Sequence, residues 1–166
     1  MGRRLTPPCF DKVRLLMTRI SAREIAMRLC FAISENPAGG GELLDGFFDD
    51  DYYKELAEED KLFSEYPDPK QLDYITRLVR GVHEHSAELD GYIEKYAVGW
   101  RFGRISRTAV AILKTAMFEV LYMPDIPDGA AINEAVELAK RYEEQETVPF
   151  INGVLGSFVR AEIGGE

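Results

Sequence analysis

Apolar residues recur every three or four positions through two adjoining segments near the C-terminus, and that spacing confines residues 131–158 to a pair of helices facing a shared core. The stretch reads AINEAVELAKRYEEQETVPFINGVLGSF. Ile132, Ala135, Val136, Ala139 and Tyr142 mark one face, and Phe150, Ile151, Val154, Leu155 and Phe158 mark the other. Asn152-Gly153 is also the dipeptide best suited to a type I′ hairpin turn. Its apolar neighbours come as adjacent pairs four apart, which fits the helical period and not strand alternation. The segment is therefore a helix carrying an interior glycine, at a cost of about 1 kcal/mol relative to alanine. Close approach by another helix is the expected compensation at Gly153. Asn133 and Asn152 flank the stripes and are expected to be structural amides, bonded to the backbone of a neighbouring element.

A chain of 166 residues suits one domain with a core of its own, independent of disulfides or metal. Its expected extent is 17–166. Residues 1–16 read as an extension: Pro7-Pro8 breaks any helix there, and Met17 is the expected natural start. No apolar run approaches the roughly 20 residues needed to cross a bilayer. Cys9 and Cys30 make no disulfide framework, and Cys30 falls on an apolar helix face, so the natural setting is the cytoplasm. The net charge of −9 argues against non-specific nucleic-acid binding. Its distribution is uneven. Residues 1–28 hold seven bases (Arg3, Arg4, Lys12, Arg14, Arg19, Arg23, Arg28) against Asp11 and Glu24, a net of +5 that leaves −14 for the rest. One end can attract phosphate while the remainder repels it.

The other segments are also helical. Ser21 and Glu24 have capping-box spacing and place a first helix at 22–34, with Ile25, Leu29 and Ile33 buried. Asn36-Pro37 and the glycines at 39–41 end it. An acidic stretch at 42–65 holds one or two short helices, and Asp49-Asp50-Asp51 reads as a solvated face, since consecutive carboxylates diverge. Asp68-Pro69 opens a long helix, or two nearly continuous ones, reaching residue 97. His83 and His85 lie on it two residues apart, on opposite faces and not as a metal pair. Ser106 caps the next helix and Thr147 the last, with Pro149 in its first turn. The fold class is all-α, a compact bundle of about six or seven helices. No nucleotide loop, HExxH or CxxC motif is present in the sequence, so neither enzyme chemistry nor a cofactor or metal is expected.

INEAVELAKRY followed by FINGVL resembles the C-terminal signature of the NusB family. AREIAMRLCF, LVRGV, Trp100, Arg104, Ile105 and AILKTAMFEV extend the resemblance over about residues 17–159. It implies two small helical bundles packed at an angle. It also implies transcription antitermination without catalysis: binding of single-stranded boxA RNA from ribosomal RNA leaders together with NusE, a small ribosomal subunit protein, within the transcription elongation complex. Arg19 and Arg23 match the family's basic N-terminal motif, Arg28 adds a cation, Phe31 takes the place of a family aromatic, and Glu146 matches an acidic position before the last helix. Cations on the backbone and planar groups for the bases are what single-stranded RNA requires. Phe31 reads equally as core, and the arginines also read as ordinary surface charge. Ala109 and Val110 stand where family members often carry an acid and a base, so any contact made by that pair is missing. The contrasting expectation is a helical adaptor that forms a homodimer and binds no RNA.

Overall fold

The structure is a computed structural model and describes residues 16–164. The reading of residues 1–16 as an extension, and Cys9 with it, falls almost wholly outside the described residues. Among the described residues there are eight α-helices and no strand: α1 Arg19–Glu35, α2 Gly40–Phe47, α3 Asp50–Glu59, α4 Pro69–Glu84, α5 Ser86–Tyr96, α6 Arg107–Tyr122, α7 Asp128–Tyr142 and α8 Thr147–Phe158. The all-α expectation holds. The number exceeds the expected six or seven because the acidic stretch makes two helices and the long segment divides at His85. That division has tertiary causes. The His85 ring stacks on Tyr122 of α6 with centroids 4.4 Å apart, and Ser86 accepts a 2.8 Å hydrogen bond from Lys114 Nζ.

Local chemistry sets most helix starts. Asp49, Asp68 and Ser106 cap α3, α4 and α6 by accepting from the backbone N–H of Tyr52, Gln71 and Ala109, and Pro69 fills the first position of α4. Asp49 is thus spent on a cap. Two expected caps are corrected. The first helix begins three residues early because Thr18, not Ser21, accepts the capping N–H. Glu24 does not fold back to complete a capping box; it pairs with Arg141 of α7 at 2.6 Å and accepts from Tyr142, charged contacts that outcompete a local N–H. Thr147 is the first residue of α8 and not its cap; Glu146 holds the cap position without a side-chain bond.

α6 is the axis of the molecule. Residues 109 and 111–119 are all buried, and the helix packs against α1, α4, α5, α7 and α8. One continuous core runs through it, with Ile25, Leu29, Tyr74, Leu78, Leu113 and Phe158 among its fully buried large side chains. Each such burial contributes about 1.5–3 kcal/mol before conformational entropy is set against it. A ring of α6 fits against the helix at Gly81 of α4. A Cβ there would stand 1.9 Å from Cζ of Phe118, so the ring of α6 occupies the space a side chain would fill.

The compensation expected at Gly153 is absent. Nothing lies within 4 Å of the position its Cβ would take, and the residue is exposed. Gly153→Ala is therefore expected to raise stability by about 0.5–1 kcal/mol through helix propensity alone. A urea titration that showed destabilisation would contradict the open surface at this site. Asn133 and Asn152 are corrected likewise. Both face solvent, and neither side chain bonds a described residue. No described helix is long and apolar enough to cross a membrane.

Candidate nucleic-acid interface

The three arginines of α1 meet very different fates. Arg23 is 5% exposed and lies against Glu119, which is fully buried. Its Nε donates to both carboxylate oxygens at 3.1 and 3.2 Å, its Nη2 donates at 2.8 Å, and Tyr74 Oη donates to the same carboxylate at 2.8 Å. Burial works against the guanidinium charge, but the hydrogen bond and charge of Glu119 outweigh it and raise the Arg23 pKa. The phenol of Tyr74 is pushed up by burial and by the same carboxylate. This ion pair joins α1 to α6, and Arg23 has no exposed charge to offer RNA.

Arg28 is partly exposed but committed. It reaches Asp60 at 2.8 Å, donates to Tyr142 Oη at 2.7 Å, and lies 3.6 Å from Glu24. The backbone N–H of Leu62 and the Arg28 guanidinium hold the Asp60 carboxyl below its usual range. Arg19 differs from both. Its Nε donates to Gln71 at 2.8 Å and its guanidinium lies 4.0 Å over the Tyr74 ring, yet no described acid neutralises it. Of the three, Arg19 alone keeps an uncompensated positive charge at the half-exposed edge of α1.

Phe31 is half-buried and packs against the core. Glu146 is exposed at the start of α8. The structure therefore brings Arg19, Arg23 and Arg28 onto one helix but leaves only the first free in charge. Arg23 had a readable signal in the sequence. It falls at helical spacing from Ala26, Met27 and Cys30, inside an apolar stripe, as Glu119 falls inside the stripe of α6. Opposite charges embedded in two core-facing stripes are the pattern of a buried pair.

A cavity of about 520 Å³ opens between α1, α4, α5 and α6, with Cys30, Val82, Asp90, Phe102, Val110 and Lys114 on its wall. Lys114 Nζ lies 2.7 Å from Asp90 Oδ1, a charge contact whose angle is too poor for an aligned hydrogen bond. Burial pushes the Cys30 thiol up to about 12, against the pull of Lys114, so it stays protonated at neutral pH and is no nucleophile.

Residues 20–160 match the NusB family. The transcription antitermination protein NusB of Acetivibrio thermocellus is 37% identical over 147 residues, covering 89% of this chain and 92% of the relative. That of Clostridium acetobutylicum is 35% identical over 145 residues, covering 87% and 97%. Among solved structures, T. maritima NusB superposes with a TM-score of 0.66 at 26% identity, covering 87% of this chain and 92% of that one. A chain from a crystal structure described as a plectonemic RNA supercoil superposes with a TM-score of 0.70 at 25% identity, covering 89% and 98%.

Proposed function

The chain belongs to the NusB family, whose matched relatives are transcription antitermination proteins, and we propose that it acts as an antitermination factor binding boxA RNA as a heterodimer with NusE. The match across residues 20–160 carries this reading, because it spans nearly all of the described fold. The place of work is the cytoplasm, on nascent ribosomal RNA leaders within the elongation complex. A neighbour found in an RNA crystal structure supports the RNA side of the reading.

Electrostatics support a need for the partner. Arg23 and Arg28 are neutralised by Glu119 and Asp60, which leaves Arg19 with few allies in a chain of net charge −9. So few phosphate contacts give weak binding alone. Arg19 takes phosphate, Phe31 supplies an apolar plane at the edge of α1, and Glu146 accepts from base edges.

The test is a titration of labelled boxA RNA with the chain alone and with NusE, at two salt concentrations. Tight, sequence-dependent binding is expected only with NusE. The slope of log affinity against log salt is expected to fall by about 0.7 in magnitude for Arg19→Gln, the loss of one single-strand phosphate contact. Absence of binding under every condition, together with a dimer by light scattering, would favour the homodimeric adaptor instead.

A further inference from the structure

Trp100 is the single tryptophan of the chain and is 48% exposed. It lies between α5 and α6 and stacks on Phe150 of α8, with ring centroids 4.4 Å apart and planes inclined by 39°. Phe150 follows Glu146 by four residues, so the ring stands one helical turn from the exposed acid at the start of α8. A single exposed aromatic is ordinary on a protein surface. What surrounds this one is not.

Arg101 follows it directly and Arg104 comes four residues after it, and both are exposed. Of the other described arginines, 23, 28, 77, 80, 107 and 141 pair with carboxylates, whereas 19 and 160 bond only the neutral Gln71 and Ser157. Arg101 and Arg104 make no ion pair or side-chain hydrogen bond with a described residue. The chain carries 29 acids against 20 bases, so acids abound, yet these two exposed guanidiniums, one and four residues beyond the half-exposed indole, pair with no described acid. A π surface on a rigid backing ring, with unneutralised cations next to it, is what a base and its adjoining phosphates need.

We propose that Trp100, braced by Phe150 and flanked by Arg101 and Arg104, is a platform on which one base of a single-stranded RNA stacks while the arginines hold neighbouring phosphates. The inference rests on the RNA-binding reading above and adds a contact surface apart from α1. Stacking on an indole tolerates any base, so the platform adds affinity and fixes the path of the strand; the choice of sequence is made elsewhere.

The lone tryptophan makes the site its own reporter. Fluorescein-labelled boxA RNA is titrated into the full chain with NusE, following RNA anisotropy and tryptophan emission together, with the Trp100→Phe chain supplying the background from NusE. Quenching of Trp100 that saturates with the anisotropy is expected. Trp100→Ala is expected to weaken binding roughly 5- to 150-fold, the effect of losing one stacked base, while Trp100→Phe stays near wild type. Arg101→Gln with Arg104→Gln is expected to lower the salt slope by about 1.4.

Anisotropy that rises while Trp100 emission and Trp100→Ala affinity stay unchanged overturns the platform and leaves the RNA reading standing. No anisotropy change overturns both. A Trp100 emission shift that is complete on adding NusE alone, with none from RNA, overturns the platform in favour of a protein contact. If Trp100→Ala loses its helical circular dichroism, the emission of the unaltered chain decides the matter.

Discussion

Arg23→Ala is expected to remove about 3–5 kcal/mol of folding stability, because it strands the fully buried carboxylate of Glu119 without its cation. Against a typical total of about 5–15 kcal/mol for a domain, that is a large fraction. Tyr74 keeps one hydrogen bond to the carboxylate, which softens the loss without supplying charge. Urea denaturation followed by circular dichroism measures it. Two further results identify the cause. Arg23→Leu combined with Glu119→Leu is expected to recover most of the loss, since a buried pair replaced by apolar groups of similar volume is often neutral. RNA affinity of the folded Arg23→Ala chain with NusE is expected to match wild type. A variant of unchanged stability that binds RNA poorly would return Arg23 to the RNA surface.

Gly81→Ala carries the second large effect. Alanine in place of glycine inside a helix ordinarily gains about 1 kcal/mol. Here the added methyl meets Cζ, Cε2 and Cε1 of Phe118 at 1.9, 2.3 and 2.7 Å. The ring is not free to swing, since it packs against Tyr122 with centroids 5.0 Å apart and against His85 at 5.8 Å. Overpacking of this kind costs about 1–3 kcal/mol, so a net destabilisation of about 1–2 kcal/mol is expected. A double-mutant cycle makes the cause visible. Phe118→Ala should cost less in the Gly81→Ala background than in wild type, with a coupling of about 1 kcal/mol or more. Additive costs would show that the glycine serves some purpose other than admitting the ring.

The two glycines illustrate how far a linear reading reaches. Gly153 stood out because it follows an asparagine in an apolar stripe, and Gly81 sits unremarked in LVRGV. Only the latter touches another helix. Sequence spacing says which face of a helix points inward, but not which inward position meets a ring and which reaches solvent. The proposed RNA residues divide in the same way. Arg19, Arg23 and Arg28 are indistinguishable as charges on one basic segment, and their separation depends on partners 52, 96 and 32 positions away. Trp100 was legible as part of the resemblance, but its stacking on Phe150 was not, because 50 residues separate the two rings.

What the sequence determined by itself was local and periodic: the helical class, the buried stripes of α1, α6, α7 and α8, the helix start at Asp68-Pro69, the cap at Ser106, and the family through its C-terminal signature. These depend on residues within a turn or two of one another, where the 3.6-residue period and side-chain reach set the outcome. The tertiary structure alone decided the break at His85, the Gly81–Phe118 contact and which cations remain free. Those outcomes follow from packing and charge pairing between helices far apart in the chain. Burial beside a carboxylate turns Arg23 into a structural tie, whereas the same side chain one turn earlier, at Arg19, meets no described carboxylate.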